Sequence, residues 1–321
     1  MLALNEYGYL ERCVRLPHTA RRLRGDPTPH WIAIGTMANG ILAWWGDKTL
    51  QDVNGRNCRA YVEWRISQRH AQRPKKGPFI STETARHELA VLRTAIRYYN
   101  REHGPLTAVP MVTMPPAKPA REDYFWSRDE AARRIRAARR RPEPHHILRM
   151  IMIGLYSGTR PGAMMKLRWL PSTDGGWIDL AGEIIHRRGL GVMQTTKRQP
   201  PCRIYKGLIR HLRKWHREDM AVGCRHVVHF REPIKECYDA WEHVRKDAGC
   251  DRRDSPHVLR HTAATWFMSW GLDVTLISAY LGMTIDVLMG VYAHHPQCSS
   301  RRSPNLRPGN RRTERERNGI G

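Results

Sequence analysis

The sequence predicts a mainly α-helical protein with a small antiparallel β-sheet, an α+β architecture in two domains. Three observations lead there. Apolar residues recur at helical spacing along most of the chain, strand signals are confined to about residues 176–206, and a proline cluster from Pro105 to Pro119 interrupts the pattern. At 321 residues and 40% hydrophobic content the chain can bury two cores. Its 55 Lys and Arg stand against 30 Asp and Glu, a net charge of +25. Such a charge repels itself unless a polyanion neutralises it. Nucleic acid suits that need, because each cation set on a phosphate releases counterions. No apolar run approaches a bilayer span. The start, MLALNEYGYLERCVRL, places Glu6, Glu11 and Arg12 where a secretion signal needs an unbroken apolar core. These features predict a cytoplasmic protein with no membrane partner. Cys13, Cys58, Cys202, Cys224, Cys237, Cys250 and Cys298 are scattered without a CxxC pair, and no Asp/Glu/His cluster has metal spacing. Neither a disulfide framework nor a metal site is expected.

The elements follow in order. Residues 1–30 form a poorly defined segment. A helix is expected from Trp31 to Trp45, broken by Gly46 and Asp47, and a second from about Asn57 to Gln68. Ser81 can cap a third, in which Leu89, Leu92, Ile96 and Tyr99 keep to one face. Residues 31–104 thus read as a helical domain. The prolines that follow forbid helix and favour an extended linker over 105–122. Ser127 and Glu130 form a capping-box pattern that restarts helix. Arg133, Arg134, Arg136 and Arg139–Arg141 load that helix with charge, either as a solvated face or as a contact to DNA backbone. A helix from His145 to Ser157 ends at Gly158, and a short one covers 161–167. Strands are expected at Trp177–Leu180, Glu183–His186, Val192–Thr195 and Arg203–Tyr205. Helices return at about 206–218, 235–248, 256–270, 273–281 and 285–293, completing a second domain over 123–296. The basic tail 297–321 is expected to be disordered, with arginines still able to touch DNA.

Four stretches carry candidate chemistry. In HVLRHTAATW, a helix places Leu259, Ala263, Trp266 and Trp270 toward a core and His257, Arg260 and His261 on the opposite side. That pattern fits a solvated basic stripe as well as a phosphate pocket. In SGTRPGAMMKLRW, Gly158 ends one helix and Pro161 starts the next, holding Arg160 in the corner. A guanidinium there can fork onto two phosphate oxygens, or tie the two helices by their carbonyls. In TTKRQPPCRIY, Lys197 sits at the tip or shoulder of a turn between strands. It can reach a DNA groove and deliver a proton, or be a plain surface lysine. In LGMTIDVLMGVYAHH, Ile285, Leu288, Met289 and Tyr292 form a helical stripe, and spacing alone makes Tyr292 a core residue.

In this order the four stretches resemble the catalytic domain of the tyrosine recombinases, the phage integrase family. The resemblance runs through about 123–296, and H-x-L-R-H-T-A-A-T is its most specific part. The region before the linker looks like the family's helical core-binding domain. The resemblance implies catalytic roles for Arg160, Lys197, His257, Arg260 and Tyr292. The family usually has His, sometimes Trp, where this chain has Met283, and Met cannot donate the hydrogen bond that position supplies. Losing one such donor costs on the order of 2–4 kcal/mol of transition-state stabilisation. His261, His294 and His295 are candidates to compensate or to contact phosphate.

The implied function is site-specific cutting and rejoining of double-stranded DNA by four protomers through a 3′-phosphotyrosine, for integration or excision of a mobile element. No metal or other cofactor is implied, because side-chain cations stabilise the phosphoryl transfer. Two other readings keep the same residues. A catalytically impaired relative would bind its site without bonding to it, and a topoisomerase-like enzyme would nick and swivel one duplex.

Overall fold

The structure is a computed structural model that describes residues 29–69, 79–102, 106–117, 124–141, 145–194, 197–230 and 232–292. The chain divides between Pro119 and Ala120 into two compact units.

The first unit holds α1 (Pro29–Trp45), a turn of 3₁₀ helix (Leu50–Asp52), α2 (Gly55–Ser67) and α3 (Thr82–Glu102). Asn54 caps α2 by accepting from the Asn57 amide at 3.0 Å, and Ser81 Oγ accepts from the Thr84 amide at 3.2 Å at the start of α3. Ile41, Trp45, Tyr61, Leu89, Leu92 and Ile96 form the core, and Tyr99 packs on its margin. A buried carboxylate lies inside it. Glu88 accepts from the Tyr61 hydroxyl at 2.7 Å and from Arg65 Nη2 at 2.7 Å, tying α2 to α3. Burial and the charge of Glu88 push the Tyr61 phenol well above its ordinary range.

Residues 106–117 hold no helix or strand, and they are not a free spacer. Val112 is buried in the first core, Leu106 and Met114 pack against it, and Arg86 Nη1 donates to the Pro115 carbonyl at 2.6 Å. The prolines keep this stretch extended, and its apolar side chains bind it to the first unit.

The second unit begins with α4 (Arg128–Arg140), α5 (His146–Ser157) and the single turn α6 (Pro161–Met164). The strands β1 (Trp177–Asp179), β2 (Ile184–His186) and β3 (Cys202–Arg203) make an antiparallel sheet in that order. Ile178 faces Ile185, and Ile185 faces Cys202. Then come α7 (Lys206–Ala221), β4 (His229–Phe230) paired with β5 (Glu232–Pro233), α8 (Tyr238–Asp247), α9 (Val258–Ser269), α10 (Val274–Leu281) and α11 (Ile285–Tyr292). Helices α5 and α9 cross at the centre, where a Cβ on Gly154 would stand 2.6 Å from Leu259 Cδ1. Close approach at this crossing therefore needs the glycine.

Five expectations are corrected in this unit. Val192–Gln194 form no strand, and the described residues between β2 and β3, 187–194 and 197–201, hold no helix or strand. The Leu190 and Gly191 amides donate to the carbonyls of Ser172 at 2.9 Å and Thr173 at 3.1 Å, which takes the loop away from the sheet. At α4 half of the capping box forms. Ser127 Oγ accepts from the Glu130 amide at 3.1 Å, but the Glu130 carboxylate turns to Tyr124 and Arg134. Arg134 departs from the charged run: it is buried, stacked over Trp126 and paired with Glu130 and Asp254. Trp270 is 43% exposed where the helical wheel put it in the core. Of the proposed core stripe of α11, Leu288 is buried while Ile285 and Met289 are exposed. Periodicity does not report how wide the buried side of a helix is.

The pair β4–β5 and its partner network were not foreseen. Buried Asp219 receives Arg149 Nη1 at 2.6 Å, Trp169 Nε1 at 2.8 Å and the His229 ring at 3.0 Å. No helix among the described residues is long and apolar enough to cross a membrane.

Candidate active site

The site is assembled at the ends of α5, α9 and α10. Helix α5 stops at Gly158, which is left-handed with φ +62°, and α10 stops at Gly282 with φ +66°. A Cβ at either glycine would be strained by backbone and would also collide, with Leu281 at the first and Pro200 at the second. Both carbonyls face Arg260, in the first turn of α9. Its Nη1 donates to Gly158 O at 2.9 Å and its Nη2 lies 3.5 Å from Gly282 O. Arg260 is only 8% exposed, and its guanidinium bridges two helix ends.

Arg160 is the N-cap of α6, with Pro161 behind it at the first helical position. Its Nη1 donates to the carbonyl of Arg198 at 2.8 Å, which draws the loop carrying Lys197 against it. Burial, and then the charge of Arg187, lower its pKa. His257 is the N-cap of α9. Its pKa is lowered first by burial, then by the charges of Arg160, Arg260 and Lys197. The contacts agree: Arg260 lies one helical turn from His257, its amide donating to the His257 carbonyl at 3.0 Å, and Lys197 precedes Arg198, whose carbonyl Arg160 holds. Lys197 itself is exposed. Arg160 and His257 line a cavity of about 400 Å³ together with Lys166, Arg187, Arg188 and Gln199. Asp174 lies on its rim and is engaged by Arg168 at 2.8 Å and by Ser172 at 2.6 Å. An open cavity so lined favours an anion that brings several oxygens.

The remaining candidates fall as follows. Met283 follows Gly282; its carbonyl accepts from Ser278 Oγ at 2.7 Å, and its side chain packs against the cluster of Ala263, Leu281 and Leu288. His261 is partly buried on α9, and its carbonyl accepts from Thr265 Oγ1 at 3.0 Å. Tyr292 is the last residue of α11. His294 and His295 lie outside the described residues. Thus Arg160, Lys197, His257 and Arg260 come together, with Met283 beside the carbonyl that Arg260 faces.

Two contributors were missed in the sequence. One is Arg187, a buried residue of the cavity wall. Ile185 and Arg187 share a face by the two-residue period of a strand, and that was the available signal. The other is Asp254, which accepts from Trp126 Nε1 at 2.8 Å, from Trp241 Nε1 at 2.8 Å and from Arg134, and so fixes the chain three residues before His257. No short-range pattern marks it.

A model of the phage integrase family matches residues 125–297, more than half of the chain. The chain belongs to the phage integrase family. The matched stretch contains Arg160, Lys197, His257 and Arg260, of which Arg160 and His257 line the cavity. Solved integrases share the fold. A lambda integrase dimer bound to a COC′ core site has 16% identity and a TM-score of 0.62, over 92% of this chain and 79% of that one. The integrase of transposon Tn1549, in complex with a circular intermediate DNA, has 12% identity and a TM-score of 0.64, over 88% and 95%. A lambda integrase tetramer bound to a Holliday junction has 17% identity and a TM-score of 0.60, over 86% and 77%. No curated protein sequence matches the chain.

The depressed pKa of His257 has a direct check. In the free integrase its imidazole titrates below the ordinary 6.5, so it is neutral at pH 7 and able to accept a proton. The folded state then binds fewer protons than the unfolded one, so this group's contribution to stability is present above pH 6.5 and is lost as pH falls through the folded pKa. An NMR titration of the His257 ring, assigned with His257→Gln, should give a midpoint below 6.5; a midpoint at or above it contradicts the cationic surroundings.

Proposed function

We propose that this tyrosine-type site-specific recombinase cuts and rejoins double-stranded DNA through a 3′-phosphotyrosine at Tyr292, in the integration or excision of a mobile element. The observation that carries the reading is a cavity lined by Arg160, His257 and further cations, with Arg160 bound to the carbonyl of Arg198 beside Lys197 and Arg260 bound to Gly158 O two residues before Arg160. In this role Arg160 and Arg260 hold the scissile phosphate and stabilise the charge of the pentavalent transition state. His257 accepts or shares the proton of the Tyr292 hydroxyl, whose ordinary pKa near 10 makes it a weak nucleophile at neutral pH. The phenolic oxygen forms a bond to phosphorus, the bond to the 5′-oxygen breaks, and Lys197 delivers a proton to that leaving oxygen. The phosphodiester energy is kept in the phosphotyrosine, so a second 5′-hydroxyl can reverse the step without ATP. The reading places the protein in the cytoplasm, acting as a tetramer on two DNA sites, with residues 31–104 as the core-binding domain and 123–296 as the catalytic domain.

Met283 favours one other reading, a relative that binds DNA but does not cleave it. Its side chain packs into an apolar cluster and has no proton to give. One assay separates the readings. The protein is incubated in EDTA with a plasmid carrying two copies of the DNA that flanks its own coding region. Recombinant circles are expected. Relaxation without recombinants indicates nick-and-swivel chemistry, and a specific gel shift with neither product indicates the non-catalytic relative.

A further inference from the structure

We infer that Arg187 is the positioning residue of this site, the group that holds in register the segments bearing Arg160 and Lys197 and those whose carbonyls receive Arg260. The inference rests on the reading of the site given above.

Arg187 directly follows β2 and is 4% exposed. Its donors go to separate segments. Nε donates to Thr159 Oγ1 at 3.0 Å, and Nη2 donates to Ser157 O. Nη1 donates to Tyr280 O at 2.6 Å and reaches Pro200 O at 3.3 Å. Each acceptor lies next to a group of the site. Ser157 and Thr159 flank Gly158, whose carbonyl receives Arg260, and Thr159 precedes Arg160. Pro200 ends the run that begins at Lys197 and includes Arg198, whose carbonyl receives Arg160. Tyr280 lies two residues before Gly282, the other carbonyl at Arg260.

All these acceptors are neutral, and among the described residues no carboxylate pairs with the guanidinium. A buried cation without a counter-ion is costly, and a protein builds one for stability alone only at a loss. Here the fork geometry explains the choice. A planar guanidinium presents donors in several fixed directions, whereas an ammonium offers them from one point. Arg187→Lys therefore keeps the charge and loses the register.

The test uses the full chain and a nicked suicide duplex carrying its site. Wild type, Arg187→Lys, Thr159→Val and Tyr292→Phe are compared for thermal unfolding, DNA affinity and single-turnover cleavage at saturating DNA. Thr159→Val removes one acceptor and leaves Arg187 in place, so it reports even where Arg187→Lys does not fold. Misplacing reacting groups by about 1 Å can cost about 10²-fold in rate. The expected result is a loss of about that size in Arg187→Lys and a smaller loss, roughly 10-fold, in Thr159→Val, with affinity unchanged within about 3-fold. Cleavage at the wild-type rate in folded Arg187→Lys, or in Thr159→Val when the lysine variant does not fold, overturns the inference. So does a fall in affinity as large as the fall in rate, which would make Arg187 a phosphate ligand. Absence of a Tyr292-dependent product in the wild type is a separate result, which overturns the reading of the site and this inference with it.

Discussion

Arg260→Lys lowers single-turnover strand cleavage by about 10²- to 10³-fold, or about 2.7–4 kcal/mol of transition-state stabilisation, and weakens DNA binding far less. The expectation follows from how the side chain is held. Arg260 is buried at the first turn of α9, with Nη1 on Gly158 O at 2.9 Å and Nη2 facing Gly282 O at 3.5 Å. Those carbonyls fix the plane of the guanidinium before any phosphate arrives, so little reorganisation is needed as charge develops. Lysine keeps one positive charge but cannot hold both carbonyls and present a fork to phosphate oxygens. Affinity is spread over many cations of a +25 chain and is little altered by a change that keeps the charge. Equal losses in rate and affinity would mean that Arg260 binds ground and transition states alike.

Asp254→Ala is expected to lower stability by about 3–5 kcal/mol, because it leaves a buried cation short of a partner and two indole N–H groups unpaired. Asp254 receives Arg134 Nη2 at 2.9 Å and the indoles of Trp126 and Trp241 at 2.8 Å each. Trp126 is itself bound to α9, its amide donating to Thr262 Oγ1 at 3.0 Å and its carbonyl accepting from Trp266 Nε1 at 3.1 Å. The network therefore joins α4, α8 and α9 just before His257. For a unit of this size the loss corresponds to a fall in Tm of roughly 10 °C, measurable by calorimetry. A Tm within about 2 °C of wild type would show that Glu130 alone satisfies Arg134.

The legible part of this protein was local. Helix limits were readable wherever a cap or breaker marked them, as at Ser81, Gly158 and Pro161. The candidate cations were visible as residue types in order, but their meeting was not. The helical wheel alone left Arg260 open between a solvated stripe and a phosphate pocket, because a wheel assigns sides to a helix and knows nothing of what packs there; α9 is in fact buried nearly all round. The same blindness, with opposite sign, put Ile285 and Met289 in a core they do not enter. Val192–Gln194 read as strand because Val192 and Met193 have strand character, while the competing bonds, at Leu190 and Gly191, come from Ser172 and Thr173, far back in the chain. Arg187 and Asp254 act through partners that lie up to 93 and 128 residues away, beyond any periodic signal.

The central claim is that Tyr292 bonds to DNA, and covalent trapping tests it most directly. Wild type and Tyr292→Phe are incubated in EDTA with a nicked suicide duplex bearing the site, and the products are run on a denaturing gel. A protein–DNA band in the wild type that is absent in Tyr292→Phe is the result this account predicts. A band of undiminished intensity in Tyr292→Phe, or none in wild type that binds the same duplex specifically, would contradict it.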